Sequence, residues 1–483
     1  MAFSFLTIKE REYYQALPQN IEEDTLMKCF FLNREDRTFI HFFYGNQTKI
    51  AIALQLGIIR FLGYLPDNWI SQISNDYLIF ILEQLKIGQP SLGGLAEYGR
   101  RAATKTQHLQ QILKHLNYRR WQPIIDEPVM EKWLIDRGME HDNERFLLEK
   151  LCQKLHYDKI LRPAISSLER MVAGIGERLH EETYRRLMFL WTNDLLKELD
   201  EVLDFDPVRK QTLHRWLCTA PTSNMARVIN QTLEKITFMQ ALKVDSWDLS
   251  VIPANRKKRL ANIVRNNSNS YLQRLNPIKR YPLLVCFLWE TLLDTTDSVL
   301  IMYNDFWTQA LSDAKKSLEA YQLGLIKTHN RAVKTLTKTV EMVVDDSIEN
   351  QSLRNKIFES LPKEQIQQAL NVVLKITKPV HQTPLFFLLK VYGRFRQFTP
   401  EFLKILDFNV AFSKDNFSNG LKAVADLQTT GKRKLPKDAP TNFITQSWGK
   451  LIKGDKSQEP QAYELCVLSV LRDRLAIICS NHH

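Results

Sequence analysis

Residues 98–120 hold the side chains best suited to contacting nucleic acid. They read YGRRAATKTQHLQQILKHLNYRR, with six Arg or Lys, two His and no Asp or Glu. Arg, Gln and Thr suit base edges in a DNA groove, whereas Lys and Arg suit backbone phosphates. The window therefore predicts contact with a polyanion. The alternative is a basic helix face that only meets solvent.

One helix, residues 102–116, is expected to position these groups. Its apolar stripe repeats at i, i+3, i+4 and i+7 and consists of Leu109, Ile112, Leu113 and Leu116. At about 100° per residue, the opposite face gathers Arg101, Thr104, His108, Gln111 and His115. Gly99 and Arg100 lie where a shorter segment, residues 92–98, would turn into this helix. Two helices joined in this way form a helix-turn-helix-like reader of the major groove.

The residues expected to contact DNA fall into two groups. The predicted groove contacts are Arg100, Arg101, Thr104, His108 and Gln111. Lys105, at the margin of the apolar stripe, suits a phosphate at the helix start. The other predicted phosphate contacts are Lys49, Arg60, Arg119, Arg120, Arg256, Lys257, Lys258, Arg259 and Arg265. For Lys49 and Arg60 the competing interpretation is that they rim the ends of a buried helix.

A second acid-free window strengthens the DNA-binding interpretation. Residues 249–289 contain eight Lys or Arg and no Asp or Glu. A run of like charge is usually a solvated face. Two such windows in one chain, with a net charge of +12 over 483 residues, favour phosphate binding.

The composition predicts an all-α, multidomain protein. Only 16 Gly and 18 Pro occur, which leaves room for long helices. Neither strand alternation nor a fixed internal repeat is evident. We expect a DNA-binding module at residues 1–70, a helix-turn-helix-like module at 71–165, and a helical region with a basic segment at 166–300. A helical scaffold and dimerisation region would follow at 301–475, and a separate tail at 476–483.

Individual helices can also be predicted. Amphipathic or apolar runs indicate helices at residues 22–31, 34–43, 143–155 and 305–343, and a helix at 49–61 that is buried on all sides. Ser166 and Glu169 have the spacing of a capping box that opens a long helix. Residues 427–438 are expected to form a basic loop.

Several classes of function are not supported by the sequence. The six cysteines are far apart, without a CxxC pair, so no zinc site or disulfide framework is predicted. No signal peptide or membrane span is evident, and a cytoplasmic protein without cofactor is expected. His180-Glu181-Glu182 lacks the second His of a metalloprotease helix and is interpreted as surface. Glu140-His141-Asp142 resembles a metal or acid/base cluster, but three adjacent side chains diverge around a helix or turn, so catalysis is not expected there. Catalytic residues are not predicted.

Eleven sequence blocks resemble, in order, the Tn-three (TnpA) family of replicative transposases. The blocks that carry the resemblance lie at residues 6–18, 33–40, 49–63, 98–119, 137–142, 160–172, 246–261, 280–297, 392–400, 439–448 and 463–475. Within the block at 98–119, the family's motif positions fall on Tyr98, Arg101, Thr104, His108, Leu116 and Tyr118.

The resemblance implies an all-α region with several DNA-binding modules and dimerising scaffold helices that hold terminal inverted repeats. It also implies an RNase H-like domain whose Asp-Asp-Glu triad binds two Mg²⁺ ions and follows the block at 463–475. Here that block is followed by AIICSNHH. We therefore expect a truncated transposase fragment that binds inverted-repeat DNA and lacks the catalytic, metal-binding domain. Two alternatives stay open: a regulatory protein that pairs with full-length transposase, and an inert remnant.

Overall fold

The computed structural model describes residues 5–88, 95, 98, 102–347, 349, 351–376, 383–406, 408, 417–431, 434–436, 438–454 and 459–480. These residues form 23 α-helices and four two-residue strands. The predicted all-α fold is confirmed. The chain divides into two compact units, Met1–Asp204 with Trp247–Phe287, and Phe205–Ser246 with Leu288–His483.

The first unit holds most of the residues predicted to contact DNA. Its first elements are α1 (Ile8–Gln15), α2 (Glu23–Phe30), α3 (Arg34–His41), α4 (Asn46–Leu62), α5 (Asn75–Leu85), α6 (Ala102–His115) and β1 (Arg119–Arg120). They are followed by α7 (Pro123–Glu140), α8 (Glu144–Tyr157), β2 (Ile160–Leu161), α9 (Ile165–Arg186) and α10 (Asn193–Glu201). Strands β1 and β2 pair in parallel, with Arg119 opposite Ile160.

Among the described residues from 205 onward, the regular elements are helices and one short hairpin. They begin with β3 (Phe205–Asp206) and β4 (Gln211–Thr212), which pair antiparallel. Then come α11 (Leu213–Cys218), α12 (Ala226–Ala241), α13 (Ala254–Asn266), α14 (Asn269–Arg274) and α15 (Pro277–Val344). The last helices are α16 (Leu353–Ser360), α17 (Lys363–Ile376), α18 (Pro384–Lys390), α19 (Tyr392–Arg396), α20 (Thr399–Ile405), α21 (Phe417–Thr430), α22 (Gln446–Gly454) and α23 (Glu459–Ser480).

Helix α4 is the centre of the core that supports α6. Its residues 50–59 are all buried, as predicted for a helix that is apolar on all sides. Gly57 is needed where α4 meets α2, because a Cβ there would lie 2.1 Å from Cδ1 of Phe30. The same core contains Leu17 and Tyr118. It therefore runs across residue 70, where a domain boundary is predicted, and the finer division into modules stays a prediction.

The second unit packs around aromatic side chains of α15. The buried ring of Tyr303 stacks on Phe402 with centroids 4.5 Å apart, and its hydroxyl donates to the carbonyl of Leu468 at 2.6 Å. Residues 462–468 of α23 are all buried, as is Leu471. The alternative that the chain is an inert remnant would be favoured by a large exposed apolar patch at residues 463–475. Because the apolar side chains of this segment are buried or half-buried, no such patch is present there.

Four local predictions need correction. The long helix starts at Pro277 instead of residue 305; residues 281–288 are all buried, so no apolar periodicity marked its first turns. The predicted capping box is absent: α9 begins after Ala164 without a side-chain cap. The Glu169 carboxylate instead accepts from the backbone N–H groups of Phe5 and Leu6 and from Arg11. Residues 427–430 extend α21 instead of opening a loop, and two short strand pairs exist where none was predicted.

Candidate nucleic-acid interface

The apolar stripe of α6 is confirmed. Ile112 and Leu113 are buried in the core around α4, and Leu109 and Leu116 pack against that core. Anchoring along this stripe fixes the rotation of the helix about its axis, and so decides which side chains meet solvent.

The solvent-facing side of α6 differs from the predicted one by about one residue, or roughly 100°. The Nδ1 atom of His108 lies 2.8 Å from the hydroxyl of Tyr98, and its ring packs edge-on against Phe43. The Nε2 atom of His115 lies 2.8 Å from Oδ1 of Asp36. Both histidines therefore face the protein. The side chains that are exposed on α6 beyond its first residue, Ala102, are Ala103, Lys105, Thr106, Gln107, Gln110, Gln111 and Lys114.

Asp36 holds His115 in this inward orientation. It closes the capping box of α3 with Asn33 and also binds Arg60 Nη2 at 2.7 Å and His115. Burial alone would raise the pKa of Asp36, but the hydrogen bonds from Arg60 and His115 outweigh it and lower that pKa. The Asp36 carboxylate of α3 thus holds two basic side chains from other helices. The sequence alone assigns Arg60 to a DNA phosphate or the rim of the core, and places His115 on the side of α6 away from the core.

The predicted groove residues have different surroundings. Arg100 and Arg101 lie outside the described residues. Gln111 is exposed, Thr104 is half-buried, and His108 is half-buried against Tyr98. Burial lowers the pKa of His108, which favours the neutral imidazole. The prediction of an outward His108 is wrong, whereas groove contact by Gln111 and Thr104 stays a prediction.

The predicted phosphate contacts also divide by exposure. Lys105, Arg120, Lys258 and Arg259 are exposed, and Lys49, Lys257 and Arg265 are half-buried. Arg119 is exposed, but its guanidinium makes a bidentate pair with Asp126, at 2.8 and 2.5 Å. Arg60 is held by Asp36 and by the carbonyl of Phe31, which agrees with its competing interpretation as a residue at the rim of the core.

Arg256 stabilises the fold of the first unit and is not available to a phosphate on the surface. It is 3% exposed, and its Nη1 donates to Oδ2 of Asp142 at 2.7 Å. The same carboxylate pairs with Arg259, whose side chain is 53% exposed. Asp142 belongs to the Glu140-His141-Asp142 cluster, for which the sequence did not predict catalysis. Its position just after α7 puts it within reach of α13, which sequence spacing could not reveal.

The exposed face of α13 combines two predicted phosphate contacts, Lys258 and Arg259, with asparagines to which the sequence analysis gave no role. Leu260, Ala261 and Val264 are buried, and Arg256 is buried beside them. The opposite face consists of Asn255, Lys258, Arg259, Asn262 and Asn266, all exposed. These five positions are spaced i, i+3, i+4, i+7 and i+11, the pattern of one helix face. The spacing is visible in the sequence, but only the burial of Leu260, Ala261 and Val264 shows that this side of the helix meets solvent.

Neither a metal cluster nor a membrane span was found within the part of the chain that the structure describes. There, no group of three or more His, Cys, Asp or Glu side chains is arranged to bind a metal ion. None of the described helices has an apolar run long enough to cross a bilayer.

Comparison with known proteins relates the chain to transposases. Residues 5–175 match a family described only as a domain of unknown function, DUF4158. The chain is 24% identical over 478 residues to the transposase for transposon gamma-delta of Escherichia coli (strain K12), covering 98% of this chain and 47% of that protein. It is 24% identical to the transposase for transposon Tn21 of Escherichia coli, with the same coverage, and 21% identical to that for Tn1546 of Enterococcus faecium over 97% of this chain.

The chain spans about half the length of these curated relatives, 47% of each. The similarity nevertheless extends from its first helices through its last block, in agreement with the order of the motif blocks. Along nearly its whole length, this chain is therefore similar to transposases.

Proposed function

We propose that this chain is a Tn-three family transposase region that binds the terminal inverted repeats of a transposon as duplex DNA. The observation that carries the proposal is its similarity to transposases over 98% of its residues. The two exposed helix faces on α6 and α13 support it, because both combine amides with Lys or Arg and contain no acid. Duplex DNA is a polyanion that such faces complement.

The exposed cations would contact backbone phosphates, and the amides would lie nearest the bases. Lys105, Lys114, Arg120 and Lys258 are the exposed cations that we assign to phosphates. Gln107, Gln110 and Gln111 are exposed on α6, and glutamine can bond an adenine through two hydrogen bonds in the major groove. Arg60 and Arg256 are left out of this surface because carboxylates of the first unit hold them.

The proposal is tested by titrating the 483-residue chain with two duplexes of equal length. One carries the terminal inverted repeat of the element that encodes it, and the other a scrambled repeat. We expect at least about 10³-fold tighter binding to the repeat at physiological salt. The slope of log K against log salt should be steeper than about −3, since each neutralised phosphate contributes roughly −0.9. Equal affinity for the two duplexes, or a slope near zero, would contradict the proposal.

We further propose that these residues supply DNA binding and not strand cleavage. In the family that the chain resembles, the Asp-Asp-Glu domain follows the block at residues 463–475. Incubation of the chain with inverted-repeat DNA and Mg²⁺ or Mn²⁺ should leave both strands intact on a denaturing gel. Metal-dependent nicking at the transposon end by the purified chain, at a level proportional to its concentration, would show that the proposal is wrong.

A second candidate function, pairing with another transposase chain, is favoured by an apolar seam on α15. The seam consists of Val333, Leu336, Val340 and Val343, spaced 3, 4 and 3 residues apart. Val340 and Val343 are 57% and 54% exposed. Apolar residues at this heptad spacing pack two helices together along a coiled-coil seam. The partner would be a second copy of this chain or a full-length transposase.

Sedimentation equilibrium tests the seam directly. Val340→Glu should shift the chain toward the monomer, because it places a charge in the apolar contact. Ile301→Glu is the matched control: Ile301 lies on the same helix and is 61% exposed, but it is outside the seam. A wild-type chain that is monomeric at the highest concentration tested would contradict self-pairing, as would an equal effect of the two substitutions.

A further inference from the structure

The exposed face of α13 differs chemically from a simple phosphate clamp. Three of its five side chains are asparagines, Asn255, Asn262 and Asn266, and the other two are Lys258 and Arg259. A clamp for phosphates is built from Lys and Arg, because each positive charge releases a counterion from the DNA. Neutral amides add little to that effect, so their presence along the face calls for another role.

Asparagine is also a poor choice for helix stability. It is less favourable than Ala in the interior of a helix, because its side chain competes for backbone hydrogen bonds. Only Asn262 lies in the interior of α13, because Asn255 is its second residue and Asn266 its last. Asn262 is exposed, so no burial in the core offsets the preference against asparagine there. Asn262 is therefore better explained by what it binds than by the stability of α13.

We propose that α13 enters the major groove of DNA and that its asparagines read adenine, which makes it a base-reading helix. This inference rests on the proposed function. An asparagine amide can accept from N6 and donate to N7 of one adenine, a pairing that identifies A·T in the major groove. Asn262 is at the middle of the face, and Asn255 and Asn266 lie seven residues before it and four residues after it.

The dimensions and anchoring of α13 suit this role. Its 13 residues span about 20 Å, and a major groove about 12 Å wide admits a helix. The side away from the asparagines is held by buried Leu260 and Val264 and by the ion pair between Arg256 and Asp142. The exposed face is thus presented at a fixed rotation, as direct readout of bases requires.

The charged neighbours of the face fit a groove contact as well. Lys258 carries a positive charge beside Asn262, where it can contact a phosphate at the groove edge. Arg259 shares Asp142 with Arg256, and this acid is 13% exposed. Its charge is opposed by two guanidinium groups, so it does not leave the face negative.

The test is a selection from a randomised duplex library, made in parallel with the wild-type chain and with Asn262→Ala. The wild type should enrich a site with at least one fixed A·T pair, and the variant should lose the preference at that pair only. On the wild-type site, Asn262→Ala should weaken binding about 5- to 100-fold, the range expected for one bidentate base contact. Its binding to scrambled DNA should change less than about 2-fold.

Two further variants make the result decisive. Asn266→Ala should remove the preference at a different A·T pair, whereas Asn330→Ala should leave the selected site unchanged. Asn330 is the matched control, an exposed asparagine on α15. If Asn262→Ala and Asn266→Ala, still helical by circular dichroism, select the same site as the wild type, α13 does not read bases even though DNA binding stands. If the wild type selects no site or binds no DNA, the proposed function fails together with this inference.

Discussion

Helices α6 and α13 both lie in acid-free stretches of sequence, yet their basic residues behave differently. In α6, the two histidines predicted to face DNA turn inward, to Tyr98 and to Asp36. In α13, one arginine turns inward to Asp142, and the asparagines remain exposed. The acids are Asp36, which holds His115, and Asp142, which holds Arg256. Each lies more than 70 residues away in the chain from the side chain that it holds. An acid-free window therefore overstates how many of its cations are available to DNA.

The largest effect should follow from removing the acid that holds α13. Asp142→Ala leaves the buried Arg256 guanidinium without its ion-pair partner, and breaking such a pair costs about 3–5 kcal/mol of unfolding free energy. Urea unfolding gives the overall loss, and hydrogen exchange of the α13 amides localises it to this helix. The matched control is Asp136→Ala, whose 64%-exposed carboxylate pairs with Arg186 at 3.7 Å. The control should cost less than about 1 kcal/mol, and equal losses for the two variants would contradict the role of Asp142.

A smaller effect is expected at α6. Asp36→Ala removes the partner of Arg60 and His115 and opens the capping box of α3. Because both partners keep some contact with solvent, the loss of unfolding free energy should be about 2–3 kcal/mol. Amides of α3 and α6 should exchange faster, while those of α13 should not. Asp67→Ala, at an exposed site, should be nearly neutral. If Asp36→Ala lost no more unfolding free energy than Asp67→Ala, α6 would be held by its apolar stripe alone.

The smallest of the three effects is a dependence of stability on pH through His180, which lines a cavity together with Arg256 and Arg259. Burial lowers the pKa of His180 to about 4, and the positive charges of Arg256 and Lys279 act in the same direction. An unfolded histidine titrates near 6.5. Below about pH 6.5 the unfolded chain therefore binds a proton that the folded chain does not bind, and the free energy of unfolding falls as the pH drops toward 4.

For the half-buried His180, screening by solvent reduces this loss to about 1 kcal/mol between pH 7 and pH 5. His180→Gln should flatten the pH dependence by that amount, measured as the difference in urea midpoints at the two pH values. His41→Gln, at an exposed histidine, should leave it unchanged. If the wild-type chain gained stability relative to His180→Gln as the pH falls from 7 to 5, the pKa of His180 could not be lowered in the folded chain.

Much of the fold could be predicted from the sequence, because burial follows local periodicity. Several elements lie close to their predicted positions: the apolar stripe of α6, the buried residues 50–59 of α4, and the helices that begin at Glu23 and Glu144. Where periodicity was absent, as in the buried start of α15, the prediction failed. Glu169 has the spacing of a cap, but the backbone of residues 5 and 6 offered it stronger partners in the folded chain.

The candidate site was harder to predict, because exposure depends on contacts that are distant in sequence. Spacing alone could not show that Asp36 would hold His115, or that Asp142 would bury Arg256. The asparagine pattern on α13, by contrast, was present in the sequence. It became informative only when burial of Leu260, Ala261 and Val264 showed which side of the helix meets solvent.

Site-specific photocrosslinking can show directly whether the exposed faces of α6 and α13 contact inverted-repeat DNA. A photoreactive phenylalanine derivative would replace Gln110 on α6, Asn262 on α13 or Asn330 on α15, one position at a time, all three being exposed. Each chain would be irradiated with labelled inverted-repeat duplex and with a scrambled duplex. We expect positions 110 and 262 to crosslink to the repeat and to give little crosslinking to the scrambled duplex. Position 330 should crosslink to neither duplex. Absence of crosslinks from both 110 and 262, in chains that still bind the repeat, would contradict DNA binding through these two helix faces.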